Sequence, residues 1–82
     1  MKIKLSDLKL GEKGTILYLN NDGMIKRRLL DMGFVKGETV EKVLESPLKD
    51  PTAYKILNAT VALRNEDGKK IIVEVKRWKK LL

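Results

Sequence analysis

Three punctuation devices in fixed order constrain this chain more than anything else in it. The run Arg27-Arg28-Leu29-Leu30-Asp31-Met32 is stopped by Gly33, the loop Ser46-Pro47-Leu48-Lys49-Asp50-Pro51 holds two prolines, and the run Val61-Ala62-Leu63 ends on Arg64. Glycine enters the left-handed conformation that terminates a helix. Each proline fixes φ and lacks an N–H, so the segment between them cannot pair in a sheet. All three devices specify shape, and none supplies an acid–base pair or a nucleophile. A short chain that commits its special residues to shape points to binding rather than to chemical transformation.

At 82 residues there is room for one domain with one small core. Such a core supplies about 3–5 kcal/mol. Hydrophobic residues are 43% and charged ones 35%, a globular balance. Cysteine and histidine are both absent. Their absence excludes a disulfide framework, a thiolate metal site, the commonest general base and the commonest transition-metal ligand. The remaining carboxylates, lysines, tyrosines and serine groups form no catalytic pattern, so the chain reads as non-enzymatic with no cofactor. Met1 to Asp7 alternates apolar and polar residues, without the apolar core of a signal peptide. No apolar run approaches the ~18 residues of a membrane span. The expected location is the cytoplasm.

The formal net charge is +7, from 18 basic and 11 acidic residues. Lys76, Arg77, Lys79 and Lys80 all lie near the end; removing those four leaves 14 basic against 11 acidic, a net of +3. A domain over 1–75 followed by a basic tail over 76–82 is therefore expected. The tail also carries Trp78, Leu81 and Leu82. Beside an anionic membrane each basic residue would add about 1 kcal/mol, and tryptophan favours the interface. The tail equally reads as a frayed terminus, or as a continuation of the last strand through Val75, Arg77 and Leu81.

Along the chain, Ile3 and Leu5 alternate with polar residues as a short strand, and Gly11 and Gly14 mark a tight turn. Thr15 to Leu19 is rich in β-branched and aromatic residues, a strand broken by Asn20-Asn21-Asp22-Gly23. Any of the three side chains before Gly23 is placed to cap a following helix. That helix covers about Met24–Met32, with Ile25, Leu29 and Met32 forming an apolar stripe and Arg28 beside it. Gly33 ends it and Gly37 turns the chain into a strand over 39–46. Val40, Val43 and Leu44 break strict alternation there, which predicts a bulge in a strongly curved sheet. Strands are expected over 53–57, 60–63 and 70–75, with Asn58 suited to positive φ and Glu66-Asp67-Gly68 as a turn. The fold class is mainly β: five or six short strands with one inserted helix, bent into a small barrel.

In this order and spacing, Leu10-Gly11-Glu12-Lys13-Gly14-Thr15-Ile16, Arg28 to Gly37, Val40, Pro47 to Pro51, Tyr54, Ala62-Leu63-Arg64 and Ile71-Ile72-Val73 resemble the FeoA family. Its members are small cytoplasmic components of bacterial ferrous-iron uptake systems. The resemblance runs from about Leu8 to Val75. It implies an SH3-like barrel, and as partner the cytoplasmic part of a FeoB-type membrane transporter with a GTP-binding domain. It also implies an accessory, regulatory role in iron uptake. The same kind of domain is similar to the C-terminal module of metal-dependent repressors, whose helix-turn-helix part has no room here. The chain departs from the family at Asn58, where glycine is frequent, and at Asn65-Glu66-Asp67-Gly68, which favours a plain turn over a short helix.

The candidate partner-binding residues are Arg28, Pro47, Leu48, Asp50, Pro51 and Arg64. Arg28 has two readings: an ion pair with Asp31 or Asp50 that fixes the helix to the proline loop, or a partner contact. Arg64 at a strand end suits a partner carboxylate, and equally suits tying down the Glu66-Asp67 turn. Leu48 either projects from a rigid frame as an anchor or folds back onto the barrel. Glu41 and Glu45, spaced to share a strand face, are weak candidates for a loosely held divalent metal. Two alternative functions accompany the first: a metal-sensing domain, and a nucleic-acid-binding barrel suggested by the sequence pI of about 9.8. Against the latter, aromatic residues are only 5%, too few for an obvious stacking platform.

Overall fold

Strand formation begins at the first residues and returns to them at the end of the domain. A computed structural model of the chain describes residues 1–77. Its elements in chain order are β1 (Lys2–Lys4), a 3-10 turn (Leu5–Asp7), β2 (Lys13–Leu19), α1 (Gly23–Asp31), β3 (Thr39–Glu45), β4 (Thr52–Ile56), β5 (Ala59–Leu63), α2 (Asn65–Gly68) and β6 (Ile71–Glu74). The six strands form one antiparallel sheet in the order β1-β6-β2-β3-β4-β5. Buried residues from β2, β3, β4, β5 and β6 meet Leu5, Leu8, Leu29 and Phe34 in one core. Strands several places apart share a single interior only if the sheet curls strongly, which is the bent barrel expected from the sequence.

The curl has visible causes. Register shifts fall between Lys42 and Leu44 on β3 and between Ile16 and Tyr18 on β2. Each inserts an extra residue and sharpens the local twist. The bulge on β3 is the one predicted from its broken alternation. It leaves Leu44 63% exposed while Val40 is fully buried. Gly14 is not part of a turn: it lies within β2, where an added Cβ would stand 3.1 Å from Val73 Cγ2. Its missing side chain lets the two strands close on one another. Gly11, in contrast, does sit in the turn, with φ +81.

Helix α1 begins one residue early and ends with Met32 as its C-cap. Gly33, at φ +108, follows it; its N–H donates to the Leu30 carbonyl, and the Phe34 N–H donates to the Leu29 carbonyl, both at 3.0 Å. That pair of bonds is the Schellman arrangement, and Leu29 and Phe34 are both in the core. No side chain caps the other end. Asn21, 3% exposed, instead donates from Nδ2 to the Asp67 carbonyl at 3.1 Å, pinning the entry of α1 to α2. Of the expected apolar stripe, only Leu29 is buried; Ile25 and Met32 lie at the surface.

Two cations hold the frame together. Lys42 is 4% exposed, and its Nζ donates to the Ser6 carbonyl at 2.9 Å and to Glu45 at 3.2 Å. Arg77 grips Glu12 with two bonds, 2.8 and 2.7 Å, and donates to the Asp7 carbonyl at 3.1 Å. The Arg77 bonds hold the Glu12 carboxyl at about 2, well below its ordinary 4.5, and raise the guanidinium in turn. Arg77 is therefore a structural clasp rather than part of a free basic tail. Val75 also continues the pairing, exchanging backbone bonds with Met1 at 2.9 and 3.1 Å. Trp78, Lys79, Lys80, Leu81 and Leu82 lie outside the described residues.

Candidate functional site

The proline loop is stiffened by hydrogen bonds as well as by its prolines. Within it, the Lys49 N–H donates to the Ser46 carbonyl at 2.8 Å and the Asp50 N–H to Ser46 Oγ at 2.9 Å. Asn65, the first residue of α2, binds it from outside. Its N–H donates to Asp50 Oδ1 at 3.1 Å and its Nδ2 to the Lys49 carbonyl at 2.6 Å. Its Oδ1 accepts from Thr52 Oγ1 at 3.0 Å. One asparagine thus joins loop, β4 and α2.

Asn65 was not singled out by sequence reasoning. Its signal is local: Asn after Arg64 opens a helical turn, and the segment predicted as a plain turn is the single-turn helix α2. The correction has a physical reason. Asp50 supplies an acceptor for the first free N–H of that turn, an interaction from a distant loop that the local residues do not reveal.

This lattice determines where the candidate residues stand. Leu48 does not fold back; it is 89% exposed, and Pro47 and Pro51 frame it. Asp50 is committed to Asn65, so its role in this structure is to support the loop. Arg64 is exposed and only loosely paired, 3.6 Å from an equally exposed Glu66. Asp50, Pro51, Arg64 and Glu66 line one shallow cleft, so the loop and the end of β5 form a continuous face.

Arg28 does not pair with Asp31 or Asp50; among the described residues it makes no ion pair. It is exposed on α1 and lines a second groove, about 460 Å³, shared with β5 and α2. Arg64 and Glu66 border both hollows. Pro51, Arg64 and Arg28 line neighbouring hollows, Pro47 and Leu48 are exposed on the same loop as Pro51, and Asp50 lines the cleft while its carboxylate is bonded to Asn65. Gly33 and Gly37 (φ +95) shape the turns that follow α1.

The metal candidates separate. Glu41 is in register with Lys13 on one side and Lys55 on the other. The bulge at Val43 reverses the facing that follows, so Glu45 pairs with Thr52 and turns toward buried Lys42. The two carboxylates lie on opposite faces, each beside ammonium groups that oppose a cation. Among the described residues, no three Asp, Glu, His or Cys side chains come together.

The aromatic residues are equally dispersed. Phe34 and Tyr54 are fully buried, and Tyr18 is half exposed on β2. Burial pushes the Tyr54 phenol up to about 12, and its Oη has no hydrogen-bond partner among the described residues. No helix of the described residues is long and apolar enough to cross a membrane.

A family model described as "FeoA domain" matches residues 3–75. The chain is 41% identical over 73 residues to the Fe(2+) transport protein A/Fe(2+) transporter FeoB fusion protein of Porphyromonas gingivalis, covering 89% of this chain and 9% of that protein. Among solved structures, iron(II) transport protein A of Clostridium thermocellum is 41% identical with a TM-score of 0.84, over 89% of this chain and 45% of that one. The FeoA of Stenotrophomonas maltophilia, complexed with zinc and described as an SH3 domain protein, is 30% identical with a TM-score of 0.79, over 88% and 89% of the two chains. Matched across its whole described core in both sequence and topology, the chain belongs to the FeoA family.

Proposed function

We propose that this chain is a non-enzymatic accessory module of bacterial ferrous-iron uptake that docks on the cytoplasmic part of a FeoB-type transporter and modulates it. The observation that carries this reading is the Porphyromonas fusion protein, in which a segment 41% identical to this chain shares one polypeptide with the transporter. Two domains joined covalently in one organism and separate in another are commonly ones that must meet, because the linker supplies effective concentration that a separate pair obtains by affinity. The rigid loop bearing Leu48, together with Pro47, Pro51, Arg64 and Arg28, forms the docking face. Its stiffness reduces the ordering cost of association, and Leu48 is the apolar anchor.

The alternatives are weaker on physical grounds. Zinc belongs to the Stenotrophomonas structure; here Glu41 and Glu45 face apart and neighbour lysines, so these two carboxylates do not fit a shared metal. A nucleic-acid role has little stacking surface among the described residues, where Phe34 and Tyr54 are interior and Tyr18 alone of the aromatics is exposed.

Titration of the purified chain against the soluble GTP-binding part of a FeoB-type transporter from the same genome tests the reading, paired with iron uptake in a deletion strain. Saturable binding and altered uptake are expected. No binding together with unchanged uptake ends the proposal.

A further inference from the structure

The sheet has two open edges, and they are built differently. The β1 edge is three residues long and carries Lys2 and Lys4, the charged side chains that discourage another strand from pairing. The β5 edge, Ala59-Thr60-Val61-Ala62-Leu63, has no charge and no proline. It pairs with β4 alone, and no described residue outside β4 bonds its backbone. Helix α1 stands off from it, leaving the 460 Å³ groove rather than covering the edge.

Ile25 and Met32 from α1 and Val61 and Ala62 from β5 give the groove apolar walls, while Arg28 lies on its α1 side without a counter-ion among the described residues. Glu66 and Asp67 line it on the α2 side. An open strand edge supplies main-chain bonds to an extended segment, and flanking pockets select its alternate side chains.

We infer that the groove between α1 and β5 takes an extended segment of the partner protein, which adds as a strand to the β5 edge. The segment is apolar at alternate positions and carries a carboxylate that meets Arg28. This rests on the docking reading above and assigns it a binding mode. Arg64 is the other cation lining the groove, but it already lies 3.6 Å from Glu66, and Glu66 and Asp67 make the α2 side acidic, so the carboxylate meets Arg28. A second copy of the chain is the poorer occupant, since two molecules of formal net charge +7 repel.

Amide hydrogen exchange of the full chain, alone and with the purified GTP-binding part of the FeoB-type transporter from the same genome, tests the inference. Titrations with Ala62→Lys and Arg28→Glu accompany it, and Lys4→Glu on the opposite edge serves as control. All three positions are at the surface, and circular dichroism confirms that each variant is folded. Amides of β5 are expected to slow by about tenfold or more in the complex. Ala62→Lys and Arg28→Glu are each expected to weaken binding by about tenfold, with Lys4→Glu within about twofold.

A complex that forms with β5 unprotected and both variants at unchanged affinity overturns the groove and leaves the docking reading standing. No complex at all overturns the docking reading and this inference with it. Protection of β5 without partner, at a dimeric mass, replaces the partner segment with a second copy.

Discussion

Gly33→Ala is the most demanding test of how this fold is put together. At φ +108 the residue lies in backbone space that an L side chain adopts only at a cost of about 1–2 kcal/mol. The added methyl would also occupy the position held by Leu57 Cδ1, with Leu57 Cγ 3.2 Å away. Overlap of this kind costs about 1–3 kcal/mol when neighbours must shift. Together the two effects amount to about 2–5 kcal/mol, against a stability of about 4–12 kcal/mol for a domain of this length. At about 4–8 °C per kcal/mol, even the lower bound lowers Tm by about 8–16 °C.

Urea unfolding followed by far-ultraviolet circular dichroism reads the effect, and Leu57→Ala in the same background separates its two parts. Leu57 is 59% exposed, so its own truncation is cheap. The double variant should recover the overlap and retain the backbone cost, a coupling of about 1 kcal/mol or more. A loss below about 0.5 kcal/mol for Gly33→Ala, or additive single variants, would refute the reasoning.

The other expectations follow from individual bonds. Lys42→Ala removes a buried ammonium that donates to the Ser6 carbonyl and to Glu45, and should cost about 1–3 kcal/mol in urea titration, with Lys42→Met milder because its stem still packs. Asn65→Ala breaks the two side-chain bonds, to Thr52 and to the Lys49 carbonyl, keeps the backbone bond to Asp50, and should cost about 1–3 kcal/mol, while amides of residues 46–50 exchange faster. Glu12 has a folded value near 2 against an ordinary 4.5. Its contribution is therefore complete above pH 4.5 and lost as pH falls toward 2; Glu12→Gln should flatten Tm across that window. Leu48→Ser should leave stability within about 0.5 kcal/mol yet weaken transporter binding measured by calorimetry.

What was legible in the sequence was whatever depends on near neighbours. The Gly33 stop, the β3 bulge and the strand positions follow from local periodicity and backbone preference, and they stand within a residue or two. What was not legible depends on contacts far along the chain. Nothing near Lys42 in the sequence marks it as buried, because the Ser6 carbonyl that accepts from its ammonium lies 36 residues earlier. Arg77 reads as tail because Glu12 lies 65 residues away. Gly14 reads as a turn because Val73, which crowds it, belongs to the last strand. For the candidate site, the exposure of Leu48 was one of two open readings, and the loop's dependence on Asn65 was invisible, since no periodicity marks a bond from one loop to another helix. Glu41 and Glu45 show the converse: the spacing was right and the bulge reversed its meaning.

The three devices that dominate the chain converge on a single strand. The β4–β5 hairpin turns through Leu57 and Asn58, both at positive φ (49 and 65), the arrangement of a two-residue I′ turn. Asparagine adopts such a conformation readily; leucine does so at a cost of about 1–2 kcal/mol. The space left by Gly33 receives the Leu57 side chain, so the helix stop and the hairpin hold one another. At the other end of β5, Arg64 leads into Asn65, which is bonded to the proline loop. The strand is therefore fixed before it by the glycine and after it by the prolines, while its outer edge has no partner among the described residues. A strand held rigidly at both ends loses little freedom when another segment pairs with it, and that is the property the proposed docking requires.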